Sequence, residues 1–236
     1  MDEDEKGIRI EDKEERSEEA TEEKQKKDSK LFLIAVLLIV GVVVGFVVWR
    51  IATPTGKITT IDDLHELNLK GKLKEDMGYV YNGFSFVFYD GLWYTQAKVG
   101  DRLLNVPMHF GPKDVEYIKV KGKINERFKR SKIYITFDPE DPSLQYVALS
   151  AAELSSLLAS GFGIMPVAAC TKNVTDACAK RPILDCSDKK KAIIYINQDN
   201  ETVVEMKGNC IEVKGKDMEL VKAVDRLMLK WLGIMP

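Results

Sequence analysis

The chain has 236 residues, of which 45% are hydrophobic and 31% charged, and a formal net charge of -2. That length holds one or two domains, and the balance of apolar and charged residues is ordinary for a folded protein. Beyond residue 52 there are 26 basic and 24 acidic side chains, a near-neutral balance that offers nucleic acid no electrostatic footprint and sets it aside as a partner.

Residues 1–30 hold thirteen Asp or Glu and eight Lys or Arg with almost nothing apolar. Such a segment cannot bury enough surface to offset chain entropy, so a disordered acidic tail is expected. Residues 31–49, LFLIAVLLIVGVVVGFVVW, follow as nineteen positions without a charge. As a helix they would rise roughly 28 Å, close to the hydrocarbon thickness of about 30 Å, and the sequence predicts a single transmembrane helix with the lipid bilayer as its partner. Lys24, Lys26, Lys27 and Lys30 crowd its N-terminal side, against Arg50 and Lys57 on the other. This asymmetry puts the tail in the cytoplasm and the remainder outside, a single-pass protein of the cell membrane. Gly41 and Gly45 share one face of the helix, spaced for homodimerisation by close backbone packing or simply for facing lipid or another protein.

Residues 50–57 read as a short stalk, and 58–143 as a β-rich, aromatic-containing α+β unit. Thr60 is expected to cap a helix running to about Leu67. From Tyr79 the pattern alternates, with Phe84, Phe86 and Phe88 on one face and Asp90-Gly91 as a hairpin turn. Further strands are expected near 102–106 and 132–137. The aromatic cluster from Tyr79 to Tyr94 reads as sheet core, with a ligand cleft as the alternative. The basic run KVKGKINERFKRSK, residues 119–132, reads as a solvated face that anionic headgroups or acidic glycans could meet. FDPEDPS, residues 137–143, offers Asp138, Glu140 and Asp141, but its two prolines indicate a turn, and no metal is assigned.

Residues 144–236 form a second expected α+β unit. The segment 144–169 has one charge, Glu153, in a long apolar stretch. A second membrane span there would bury that carboxylate at a cost of about 3 kcal/mol, so a strand, a helix near 150–160 and another strand are expected instead. KAIIYIN and ETVVEM are expected to form a hairpin around Gln198-Asp199-Asn200, NCIEVKG a further strand, and KDMELVKAVDRLMLKWLG a closing amphipathic helix with Gly233 as its stop.

Four cysteines, Cys170, Cys178, Cys186 and Cys210, fall in this unit without a C-x-x-C pair. On the outer side of a membrane an even count reads as two disulfides, and their spacing matches neither a zinc knuckle nor a redox motif. Of three possible connectivities, Cys170–Cys178 with Cys186–Cys210 is preferred, closing a short loop and tying it to a strand. Asn173 and Asn200 begin Asn-x-Thr sequons, possible glycosylation sites if the region is exported.

The stretches YNGFSFVFYDGLWYTQ, PVAACTKN and GNCIEVKGKDMELVKAVDRLMLKWLGIM resemble those of uncharacterised archaeal single-pass membrane proteins. The resemblance spans about residues 31–236. It implies an anchored extracytoplasmic domain with paired cysteines and carries over no catalytic residue. The architecture expected is an α+β extracytoplasmic region of antiparallel sheets with packed helices on one N-terminal transmembrane helix. Its function is expected to be a non-catalytic binding module for an envelope protein or glycan, without cofactor. The alternatives are an extracytoplasmic enzyme, for which His109 beside Asp114 or Glu116 would be the acid or base, and a thiol–disulfide exchange protein.

Overall fold

The computed structural model describes residues 37–48, 60–130 and 132–236. The chain divides into two units at the Ile58–Thr59 bond. In the first, residues 37–48 form a helix (α1) with exposed side chains, and a Cβ added at Gly41 or Gly45 would meet nothing within 4 Å. This corrects the transmembrane expectation. A spanning helix needs about 20 apolar residues, and no helix among the described residues is long and apolar enough to cross a membrane. The acidic tail 1–30, the stalk 50–57 and both ends of the expected 31–49 span lie outside the described residues.

The second unit, Thr59–Pro236, opens with α2 (Ile61–Leu69). The Thr60 hydroxyl accepts from the Asp63 amide and the Asp63 carboxylate accepts from the Thr60 amide, both at 3.1 Å, a reciprocal cap that satisfies two donors of the first turn. A four-stranded antiparallel meander follows: β1 (Gly78–Tyr81), β2 (Phe84–Tyr89), β3 (Leu92–Val99) and β4 (Arg102–Met108). Asp90 and Gly91, with φ of 49° and 81°, make the expected hairpin between β2 and β3. Asn82 and Gly83, at 49° and 83°, make an equivalent turn between β1 and β2. Such left-handed pairs match the twist of two-residue hairpins.

The remaining strands form a six-stranded mixed sheet in the order β5-β9-β10-β8-β6-β7. They are β5 (Lys119–Lys121), β6 (Lys132–Phe137), β7 (Met165–Cys170), β8 (Ile193–Gln198), β9 (Val203–Lys207) and β10 (Cys210–Gly215). Strands from both sides of residue 143 thus share one sheet. Between β4 and β5 lies the short helix α3 (Pro112–Val115). β6 and β7 are parallel neighbours joined through α4 (Leu144–Ser156) and one π turn, Leu157–Gly161. Residues 144 onward are therefore helical where a strand was expected. The hairpin expected around residues 198–200 is also corrected. β10 lies between β8 and β9, parallel to the first and antiparallel to the second, and the tight turn is at Gly208-Asn209. The closing helix α5 (Met218–Trp231) is as expected.

Alternation along the strands assigns the faces of this sheet. Ile133, Ile135, Ile194, Ile196, Val204, Met206, Ile211 and Val213 join one buried cluster with Val147, Leu154, Leu220, Val224 and Leu227 of the helices. Phe86, Val106 and Met108 of the meander belong to the same cluster, so α4 and α5 bury residues with both sheets. On the other face Ala169, Ile193 and Cys210 form a small cluster with Leu184. That face also carries charges, with Glu205 beside Lys121, Lys207 and Lys214.

Candidate functional site

A cavity of about 310 Å³ opens between the meander and α4. Its apolar walls are Leu92, Leu104, Val106 and Pro107 from the meander, Leu157 from the π turn and Met228 from α5. His109, just beyond β4, and Glu153, on α4, bring the polar chemistry, and Ala152, Ser156 and Ser160 line the rim.

The His109 Nδ1 and a Glu153 carboxylate oxygen are in direct contact. The other carboxylate oxygen, Oε2, is buried without a partner. Burial pushes the Glu153 carboxyl above the ordinary carboxylate range, and contact with His109 pulls it partly back. Asp225 on α5 lies behind them, fully buried. Its Oδ2 accepts from the Phe110 amide at 2.8 Å, and the His109 amide also faces it, yet Oδ1 has no partner. Burial, reinforced by repulsion from Glu153 and Asp114 and opposed by those two amides, holds Asp225 well above its ordinary value of 3.8. The arrangement sets an imidazole beside a carboxyl of elevated proton affinity at an apolar cavity, able to donate or accept a hydrogen bond there, with a second, fully buried carboxyl behind them.

Neither sequence-nominated carboxylate meets His109. Asp114 caps α3, accepting from the Gly111 amide at 3.0 Å, while Glu116 lies by the Tyr81 hydroxyl. Glu153 was visible as the lone charge of an apolar run. Asp225 had no such mark, since the helical pattern places it beside Lys222 and Arg226 as one more charge. The second histidine is part of the core: His65 is 1% exposed, its Nδ1 lies 2.9 Å from Ser85 Oγ, and burial lowers its pKa.

The aromatic cluster packs internally, with Tyr79 stacked on Phe86 at 5.5 Å and edge-on to Trp93 at 4.9 Å, and the cavity is lined without them. In the 137–143 turn Asp138 and Glu140 pair with Lys172, while Asp141 accepts from the Ser143 amide. Cys170–Cys178 and Cys186–Cys210 are disulfides, with Cα separations of 6.0 and 5.4 Å. Asn173 and Asn200 are exposed.

Comparison of the chain with protein-family models, curated proteins and solved structures finds no match.

Proposed function

We propose that the second unit is a non-catalytic binding module, and that its ligand is a small, mainly apolar molecule bearing one hydrogen-bonding group. The observation that carries this reading is the cavity of about 310 Å³, whose walls are largely aliphatic and whose only acid–base pair is His109 with Glu153. That size and lining are at the lower end of small-molecule sites. The apolar walls supply affinity by burial, and the His–Glu pair orients the ligand's polar end. Two disulfides support an oxidising, extracytoplasmic setting for this module.

Octanol and octanoate, titrated into the full chain and followed by NMR, should both perturb His109 and the methyl groups of Leu104, Leu157 and Met228 in a saturable way. Ala152 lines the cavity but is exposed, so Ala152→Trp fills the site without entering the core. That variant should bind about tenfold or more weakly, equivalent to roughly 1.4 kcal/mol. Absence of saturable binding, or binding indifferent to Ala152→Trp, would overturn the reading.

A second reading has one observation in its favour. A carboxyl of raised proton affinity touching an imidazole is the composition of a general acid–base pair. An enzyme built on it would lose turnover in His109→Gln while keeping ligand affinity, whereas a binding module has no turnover to lose.

A further inference from the structure

A second concavity, unrelated to the His109 cavity, lies at the ends of β6 and β8 where two distant stretches of chain meet. Arg127, Arg130 and Lys132 come from the connection into β6 and from its first residue, and Lys190 and Lys191 from the loop before β8; with Tyr134 they surround a cavity of about 190 Å³. No salt bridge involves any of these five cations among the described residues, although their neighbours Lys121 and Lys129 are both paired to glutamates. The carboxylate facing them is Asp188. It accepts from the backbone amides of Lys190 and Lys191, at 2.7 and 3.2 Å, which helps hold it below the ordinary carboxylate range and turns it toward the loop backbone. Arg127 donates to the Lys189 carbonyl, a neutral acceptor that fixes the guanidinium without cancelling its charge. Lys191 Nζ sits 5.0 Å from the centre of the Tyr134 ring, held over its face.

Like charges gathered around a concavity repel one another, and a solvated face would spread them outward instead. Here part of the cluster is pinned, Arg127 by a carbonyl and Lys191 by a ring, and no carboxylate among the described residues forms an ion pair with any of the five cations. An anion is the partner whose charge and shape such a cluster suits. Guanidinium groups present paired donors that match tetrahedral oxyanions, and ammonium groups add point charges around them. We propose that this concavity binds a phosphate group, either as a free ion or as the phosphodiester of an anionic lipid headgroup.

The test uses the full chain, with inorganic pyrophosphate as the free probe. Vesicles containing phosphatidylglycerol, compared with vesicles of phosphatidylcholine alone, serve as the headgroup probe. Arg130 and Lys190 are exposed, so Arg130→Gln with Lys190→Gln leaves the fold intact, a point checked by the melting curve. Pyrophosphate should shift the amide resonances of residues 127–134 and 189–192 in a saturable way, with affinity falling as salt is added. The double variant should bind about tenfold or more weakly, equivalent to roughly 1.4 kcal/mol. If phosphatidylglycerol vesicles alone are retained, and the double variant releases them, the headgroup is the source. If pyrophosphate alone binds, the free ion is. Binding of neither probe, or binding that the double variant leaves unchanged, overturns the proposal.

Discussion

Asp225 is a buried carboxyl with one oxygen satisfied by backbone and the other by nothing, a state that costs about 1–3 kcal/mol and more when charged. Its raised proton affinity makes stability depend on pH in a definite direction. The native state holds a proton that the unfolded state releases near 3.8, so the contribution is whole below that pH and is lost as pH rises through the higher folded-state value. Glu153, also raised by burial, adds to the same slope. Asp225→Asn keeps an acceptor for the Phe110 amide and removes the titration. Relative to the native chain, this variant should gain stability as pH rises from 4 toward 8, by about 1–3 kcal/mol at the upper end. Urea melts across that range check it, and parallel pH profiles for the two proteins would show that Asp225 is not the group responsible.

At the scale of elements, the joint between β10 and α5 rests on Gly215. A Cβ there would stand 2.5 Å from the Leu220 amide nitrogen and 2.6 Å from the Glu219 carbonyl carbon, both backbone atoms that cannot swing aside. Gly215→Ala should therefore push the helix from the strand and cost about 1–3 kcal/mol, as overpacking does; an unchanged thermal midpoint would mean that the helix start yields freely. The helix itself was legible, because Leu220, Val221, Val224, Leu227 and Met228 recur at three- and four-residue spacing and all are buried. So were β2, β4, β6 and the capped α2, whose signals are local. What could not be read is which strand lies beside which. Residues 192–198 and 203–207 look like a hairpin because both are apolar and a turn separates them, but a strand inserted between them leaves no trace in local pattern. The beginning of α4 was missed because Leu144, Tyr146 and Val147 suit a strand equally well, and only packing against α5 decides. For the site, His109 was legible as a residue, whereas its partner Glu153 is separated from it by 44 positions and was fixed by tertiary packing.

On the scale of the whole unit, the six-stranded sheet is covered unequally. One face carries α4 and α5 and the large shared cluster; the other carries only Leu184 and its neighbours in the connection between β7 and β8. That connection has little apolar content of its own. It is attached by a hydrogen bond from Thr136 Oγ1 to the Leu184 carbonyl at 2.7 Å, by a single parallel bridge from Cys170 to Ile183, and by the two disulfides. In chain-entropy terms the disulfides contribute about 2.6 and 3.5 kcal/mol, acting on the unfolded chain, while the burial that holds the two sheets together is independent of them. Reduction should thus act locally before it acts globally. With a strong reductant, amides of residues 171–191 should lose protection from hydrogen exchange while those of β8, β10 and α5 keep theirs, and the thermal midpoint should fall with far-ultraviolet dichroism unchanged at 25 °C. Simultaneous loss of protection in all of these elements would show instead that the disulfide-tied face is required for the helix-covered one to fold.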